Sequence, residues 1–61
     1  MMIENDSVTG FHMEIDIENC KFSIQQPNPK GKLFKRDYKG FTRTEAKDMF
    51  LKEFKWRWHE N

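Results

Sequence analysis

Cysteine occurs once in the 61 residues, at Cys20, which excludes an internal disulfide, and only His12 and His59 could join it at a metal. Without either staple, packing must hold the chain together, and the margin is thin because so small a domain buries a modest fraction of its unfolded surface. No apolar run is long enough to cross a bilayer, and the opening MMIENDSVTG lacks the basic-then-apolar order of a secretory signal. The expectation is a reducing, cytoplasmic setting with no membrane partner. Proline is confined to PNPKGK, residues 27–32, which marks a loop too short to link domains. One domain, 1–61, is therefore expected.

What is present points to a globular chain: 36% of residues are hydrophobic, and nine aromatic rings must supply much of the core although 34% of residues are charged. The formal charge of +1 conceals an uneven distribution. Through Pro29 there are five acids and one base, a balance of −4, and from Lys30 onward ten bases and five acids, a balance of +5. Either the two halves complement each other within the fold, or the basic half meets a polyanion or an acidic protein.

FHMEIDIENCKFSIQQ, residues 11–26, carries the clearest periodicity. Phe11, Met13, Ile15 and Ile17 alternate with His12, Glu14, Asp16 and Glu18, the pattern of a half-buried strand. A two-residue turn at Glu18 and Asn19 sets Ile17 against Cys20, Ile15 against Phe22 and Met13 against Ile24, so the apolar faces coincide and Cys20 points toward the core. A slip by one residue would send one apolar row to solvent. Glu-Asn is a mediocre turn pair beside Asn-Gly, which leaves a longer loop open. The same register sets Asp16 against Lys21, Glu14 against Ser23 and His12 against Gln25 on the outer face.

LFKRDYKGF reads as a third strand with Phe34 and Tyr38 inward and Phe41 covering the edge near Gly40. Thr42 then caps a helix whose Glu45, three residues on, returns the bond as in a capping box, and Phe41 staples onto Ala46. No Gly or Pro interrupts the chain beyond that point. At about 100° per residue, Ala46, Phe50, Leu51, Phe54 and Trp58 fall in one arc of roughly 140° that faces the sheet, with Lys47 and Arg57 leading their charges out of it. The expected fold class is α+β: a three-stranded antiparallel meander (about 10–18, 20–26 and 33–40) with one carboxyl-terminal helix (about 43–58) on one face, after a flexible tail at 1–9. Met49 and Trp56, seven residues apart, share a flank of that helix away from the arc's centre, and Lys52 lies beside them.

Groups that could do chemistry are sparse. His12, Glu14 and Asp16 share a strand face, but successive positions there are about 7 Å apart and do not converge on one ion. Cys20 has no neighbouring base in sequence, and PKGK lacks the strand, loop and helix spacing of a phosphate-binding loop. No catalytic, metal or cofactor site is expected, and the chain reads as a non-enzyme.

KRDYKGFTRTEAKDMFLKE, residues 35–53, resembles the third strand and helix start of the small three-stranded-sheet-plus-helix DNA-binding domains at the amino terminus of tyrosine recombinases and in AP2-like proteins. In that family the exposed sheet face enters the major groove, so the resemblance implies Lys35, Arg36 and Lys39 as contacts, with Arg43 at the helix entry. The first hairpin departs from the family by presenting acids on that face. In size and style the chain is also similar to small phage gene products.

The reading that follows is a small non-enzymatic binding module that docks on another protein in an accessory or regulatory role, using Met49, Trp56 and Lys52. The alternatives are a nucleic-acid binder using Lys35, Arg36, Lys39 and Arg43, and a homodimer with Trp56 in its interface.

Overall fold

The computed structural model describes the backbone of residues 2–58 and the side chains of residues 2–55. It is α+β: a four-stranded antiparallel sheet in the order β1 (Met2–Asp6), β2 (Phe11–Asp16), β3 (Lys21–Pro27), β4 (Leu33–Lys39), followed by one helix, α1 (Arg43–Trp58). The expected helix bounds agree with the observed ones.

The β2–β3 register is the expected one, with Met13 opposite Ile24, Ile15 opposite Phe22 and Asp16 opposite Lys21. Its turn differs. A two-residue type I′ turn would need positive φ at Glu18, which a Glu side chain resists. The chain instead spends four residues, Ile17 to Cys20, with Cys20 N–H donating to the Ile17 carbonyl at 3.3 Å and the left-handed conformation falling on Cys20, φ 51°. Asp16 secures the loop by accepting from Asn19 N–H at 3.3 Å and from Asn19 Nδ2 at 2.8 Å. The longer loop takes Ile17 and Cys20 out of the ladder, so both are exposed rather than turned toward the core.

The amino-terminal tail is corrected to a strand. Met2–Asp6 pairs along the free edge of β2, with Met2 opposite Ile15, Glu4 opposite Met13 and Asp6 opposite Phe11. The strand has no apolar row to announce it. Polar contacts hold its covered side: Glu4 accepts from Arg43 and Lys47, 39 and 43 residues away. Its loop to β2, Ser7 to Gly10, closes like the next one, with an aspartate before it and a left-handed residue, Gly10, at its end. Asp6 Oδ1 accepts from Val8 N–H at 2.9 Å.

The proline loop joins β3 to β4 through a tight turn in which Gly31 N–H donates to the Asn28 carbonyl at 2.9 Å and Asn28 Oδ1 accepts from the N–H of Lys30 and of Lys32. Asn first, Pro second and Gly fourth is the chemistry a type I turn prefers. In β4, Phe34 and Tyr38 face the helix as expected, and Arg36 stands between them. Thr42 and Glu45 form the capping box: Thr42 N–H donates to Glu45 Oε1 at 2.9 Å and Glu45 N–H to Thr42 Oγ1 at 3.1 Å. The Phe41 ring meets Tyr38 edge-on at 6.4 Å.

Between sheet and helix lie Met13, Ile15, Phe22, Ile24, Ala46 and Phe50, ringed by Phe11, Phe34, Tyr38 and Phe54. Phe50 is the keystone, edge-on to Phe11, tilted on Phe34 and stacked on Phe54. Leu51 is corrected: placed by periodicity in the buried arc, it is 40% exposed. The helix is turned toward the β3 and β4 side, which lifts Leu51 onto the flank facing β1.

Candidate functional site

Alternation along each strand divides the sheet into two faces. The uncovered face carries Ile3 and Asn5 from β1, His12, Glu14 and Asp16 from β2, Lys21, Ser23 and Gln25 from β3, and Leu33, Lys35, Asp37 and Lys39 from β4. Apart from its two aliphatic positions it is polar, and its three lysines balance three carboxylates. Two of those carboxylates are engaged. Glu14 meets His12 Nε2 at 3.3 Å, and His12 Nδ1 is bonded to Asn5 Oδ1. Asp16 is held below the ordinary carboxylate range, chiefly by the Asn19 side-chain amide. Lys21 and Lys39 stand directly opposite each other.

This arrangement separates the residues named for nucleic acid. Lys35 and Lys39 lie on the uncovered face, whereas Arg36 lies on the helix face, where Nε and one terminal nitrogen donate to Glu53 Oε1 at 3.1 and 3.0 Å. Its guanidinium sits 4.3 Å from the centre of the Phe34 ring. Arg43 is bonded to Glu4, on the helix face as well. The four do not form one patch. Met49 is half-buried, one turn before Glu53 and therefore on the flank that faces β4. Lys52 is exposed and pairs with Asp48 at 3.1 Å, and the Trp56 side chain and His59 lie outside the described residues.

The covered side holds a feature that periodicity did not reveal. Because α1 contacts β3 and β4, the strip of sheet along β1 is open, and two depressions lie between that strip and the helix, with a third beyond them beside the proline loop. The first lies among Met2, Ile15, Ile17, Phe22 and Arg43, the second between Asp6, Phe11 and Lys47, and the third between Pro27, Pro29, Phe54 and Lys55. Glu4 borders the first two, while Thr9, Gln26 and Leu51 border the last two. They form one groove alongside α1.

The groove has an apolar bed and charged walls. Met2 and Ile17 are 56% and 67% exposed at its open end. Glu4 crosses it, accepting from Arg43 Nε at 3.1 Å and from Lys47 Nζ at 3.0 Å, with a further bond from Arg43 Nη2. The Arg43 guanidinium above all, and then the Lys47 ammonium, hold the Glu4 carboxyl below its ordinary value. Two cations share the Glu4 carboxylate, and Asp6 lines the same depression as Lys47, so the charges along this stretch balance. Lys47 Nζ also sits 5.7 Å from the Phe11 ring centre. The sequence signal for this groove was the flank 43, 47, 51, 55, four residues apart, but it could not be read without a fourth strand to face it.

Among the described residues no group of three His, Cys, Asp or Glu side chains is placed to hold a metal ion, and no helix is long and apolar enough to cross a membrane. The groove offers apolar contact at its bed and charge at its rim. No protein-family model, curated protein or solved structure matches the chain.

Proposed function

We propose that the protein is a small, non-enzymatic binding module that docks on another protein. The observation that carries this reading is the groove beside α1, where the exposed apolar side chains Met2, Ile17 and Leu51 stand among charged ones. Exposed apolar surface rimmed by charge is what recognition surfaces offer. The test is a pull-down from host lysate with the wild-type chain and with Leu51→Asp. Leu51 is 40% exposed, so the variant is expected to stay folded, with its melting temperature measured alongside, while the captured protein is lost. Retention of the same partner at wild-type yield refutes docking in the groove. Loss of the partner with Trp56→Ala at unchanged melting temperature assigns the docking surface to Trp56 instead.

A second reading, nucleic-acid binding, draws on Lys21 and Lys39, which face each other on the uncovered sheet face with like charge. An anion between them would relieve their repulsion. The carboxylates of Glu14, Asp16 and Asp37 on the same face oppose it. Mobility-shift titration at two salt concentrations decides: a steep fall in affinity with salt supports it, and no shift at low salt removes it. Sedimentation at micromolar concentration tests the homodimer, which requires a mass of two chains.

A further inference from the structure

The edge of the sheet, more than its face, identifies the kind of partner. β1 hydrogen-bonds to β2 on one side, and among the described residues no strand lies on the other. In an antiparallel ladder every second residue turns its N–H and C=O away from the neighbouring strand, so β1 presents a row of backbone donors and acceptors at strand spacing. The helix does not cover that row. It packs over β3 and β4 and reaches β1 through the long side chains of Arg43 and Lys47, which end on the Glu4 carboxylate.

Such edges are ordinarily blunted by lysine, proline or a bulge. The opposite margin, β4, carries Lys35, Arg36 and Lys39. β1 has none of these devices: its five residues, MIEND, pair with β2 one for one, without a bulge. Its acids, Glu4 and Asp6, stand beside Arg43 and Lys47, whose charge balances theirs. What remains to be recognised is aliphatic. Met2 and Ile3, consecutive and therefore on opposite faces of the sheet, are 56% and 59% exposed, and both line the depression shared with Ile15, Ile17 and Phe22.

Two occupants fit this edge poorly. A helix bonds its own backbone groups and leaves the row unsatisfied. A second copy, paired antiparallel over the full length of β1, sets Glu4 against Glu4, Met2 against Asp6 and Ile3 against Asn5, so the aliphatic pair meets polar residues and like charges meet at the centre.

We infer that the free edge of β1 takes up an extended segment of a partner protein as a fifth strand, with two consecutive aliphatic residues of that segment beside Met2 and Ile3, one on each face of the sheet. This rests on the protein-docking reading, since β1 is the outer rim of the groove, and it specifies the partner's chemistry: an extended, uncharged aliphatic stretch. Main-chain bonds supply the affinity and the aliphatic pair fixes the register.

The experiment places the photo-crosslinking residue p-benzoylphenylalanine in the full chain at Ile3, at Leu51 or at Asp37, irradiates each in host lysate and sequences the adduct. A synthetic peptide of the adducted segment is then titrated into the isotope-labelled wild-type chain, and amide hydrogen exchange is followed by NMR. The expected result is an adduct from Ile3 that maps to a segment of another protein with two consecutive aliphatic residues, and a peptide that slows exchange in β1 about tenfold or more. Ile3→Lys, which installs the missing guard lysine at an exposed position, weakens the peptide about tenfold. Leu33→Lys, at a similarly exposed position on the far margin, leaves its affinity unchanged. An adduct from Ile3 that maps to a helical segment, to a segment without the aliphatic pair or to a second copy overturns the inference and leaves protein docking standing. So does a peptide that fails to slow exchange in β1, an affinity that the two lysine variants change alike or not at all, or an adduct that forms only from Leu51 or Asp37. No protein adduct from any of the three positions overturns both.

Discussion

Cys20 holds a conformation that glycine holds at the matching place in the preceding loop. Both loops follow an aspartate that accepts a local bond, and both end on a left-handed residue, Gly10 at φ 81° and Cys20 at φ 51°. An L side chain in that region costs roughly 1–2 kcal/mol, partly offset in glycine by the entropy it loses on folding. Cys20→Gly is therefore expected to stabilise the chain by about 0.5–1 kcal/mol. For so small a domain that is a rise of a few degrees in Tm, read by thermal denaturation. The reverse holds at Gly10. A Cβ there would lie 2.8 Å from two ring carbons of Pro27, and a proline ring has little room to give. Gly10→Ala is expected to cost about 2–3 kcal/mol, strain and clash together, measured as a fall in the urea midpoint with unchanged slope. An unchanged midpoint would mean that the β1–β2 loop is free to rearrange.

At the scale of elements, the strand that escaped sequence reading is the one held by charge. Met13 with Ile24 and Ile15 with Phe22 were legible because only one register brings the apolar rows of residues 11–26 together, and Thr42 with Glu45 announced the helix. β1 was not legible, because Met2, Glu4 and Asp6 on its covered side have no common hydrophobic character and its anchors lie 39 and 43 residues away. The groove was hidden for the same reason: it exists only once a fourth strand widens the sheet, and with three strands Leu51 belongs to the buried arc. Glu4 titrates with a folded-state value below its unfolded one, so its contribution to stability is complete above the unfolded value near 4.5 and is lost as pH falls through the lower folded value. Stability is expected to decline below about pH 4.5 in the wild type, and Glu4→Gln to flatten the part of that decline due to this carboxyl. Urea midpoints between pH 3 and 6 measure it. Identical pH profiles for the two chains would show that the bridge to Arg43 and Lys47 adds nothing in solution, as many exposed pairs do.

For the whole molecule, stability converges on a few rings. Among the described residues six side chains make up the core, and Phe50 links three other aromatics from β2, β4 and its own helix. Phe→Ala at a fully buried position costs about 3–5 kcal/mol, comparable with all that a domain of this size has to spend. Phe50→Ala is expected to leave the chain unfolded at 25 °C, seen as loss of near-ultraviolet circular dichroism and collapse of amide dispersion in NMR. A cooperative, folded variant would relocate the centre of the core to Met13 and Ile24.

The meander also has two unpaired margins, and they differ in sign. Along β1 the charged side chains are Glu4 and Asp6; along β4 they are Lys35, Arg36, Asp37 and Lys39. Like margins repel, which discourages two molecules from zipping together symmetrically, while unlike margins attract and would stack copies head to tail without closing a ring. Glu4 and Arg36 blunt that attraction by spending their charge internally, on Arg43 with Lys47 and on Glu53. The bonds that pin the helix to the sheet thus also take one charge out of each margin.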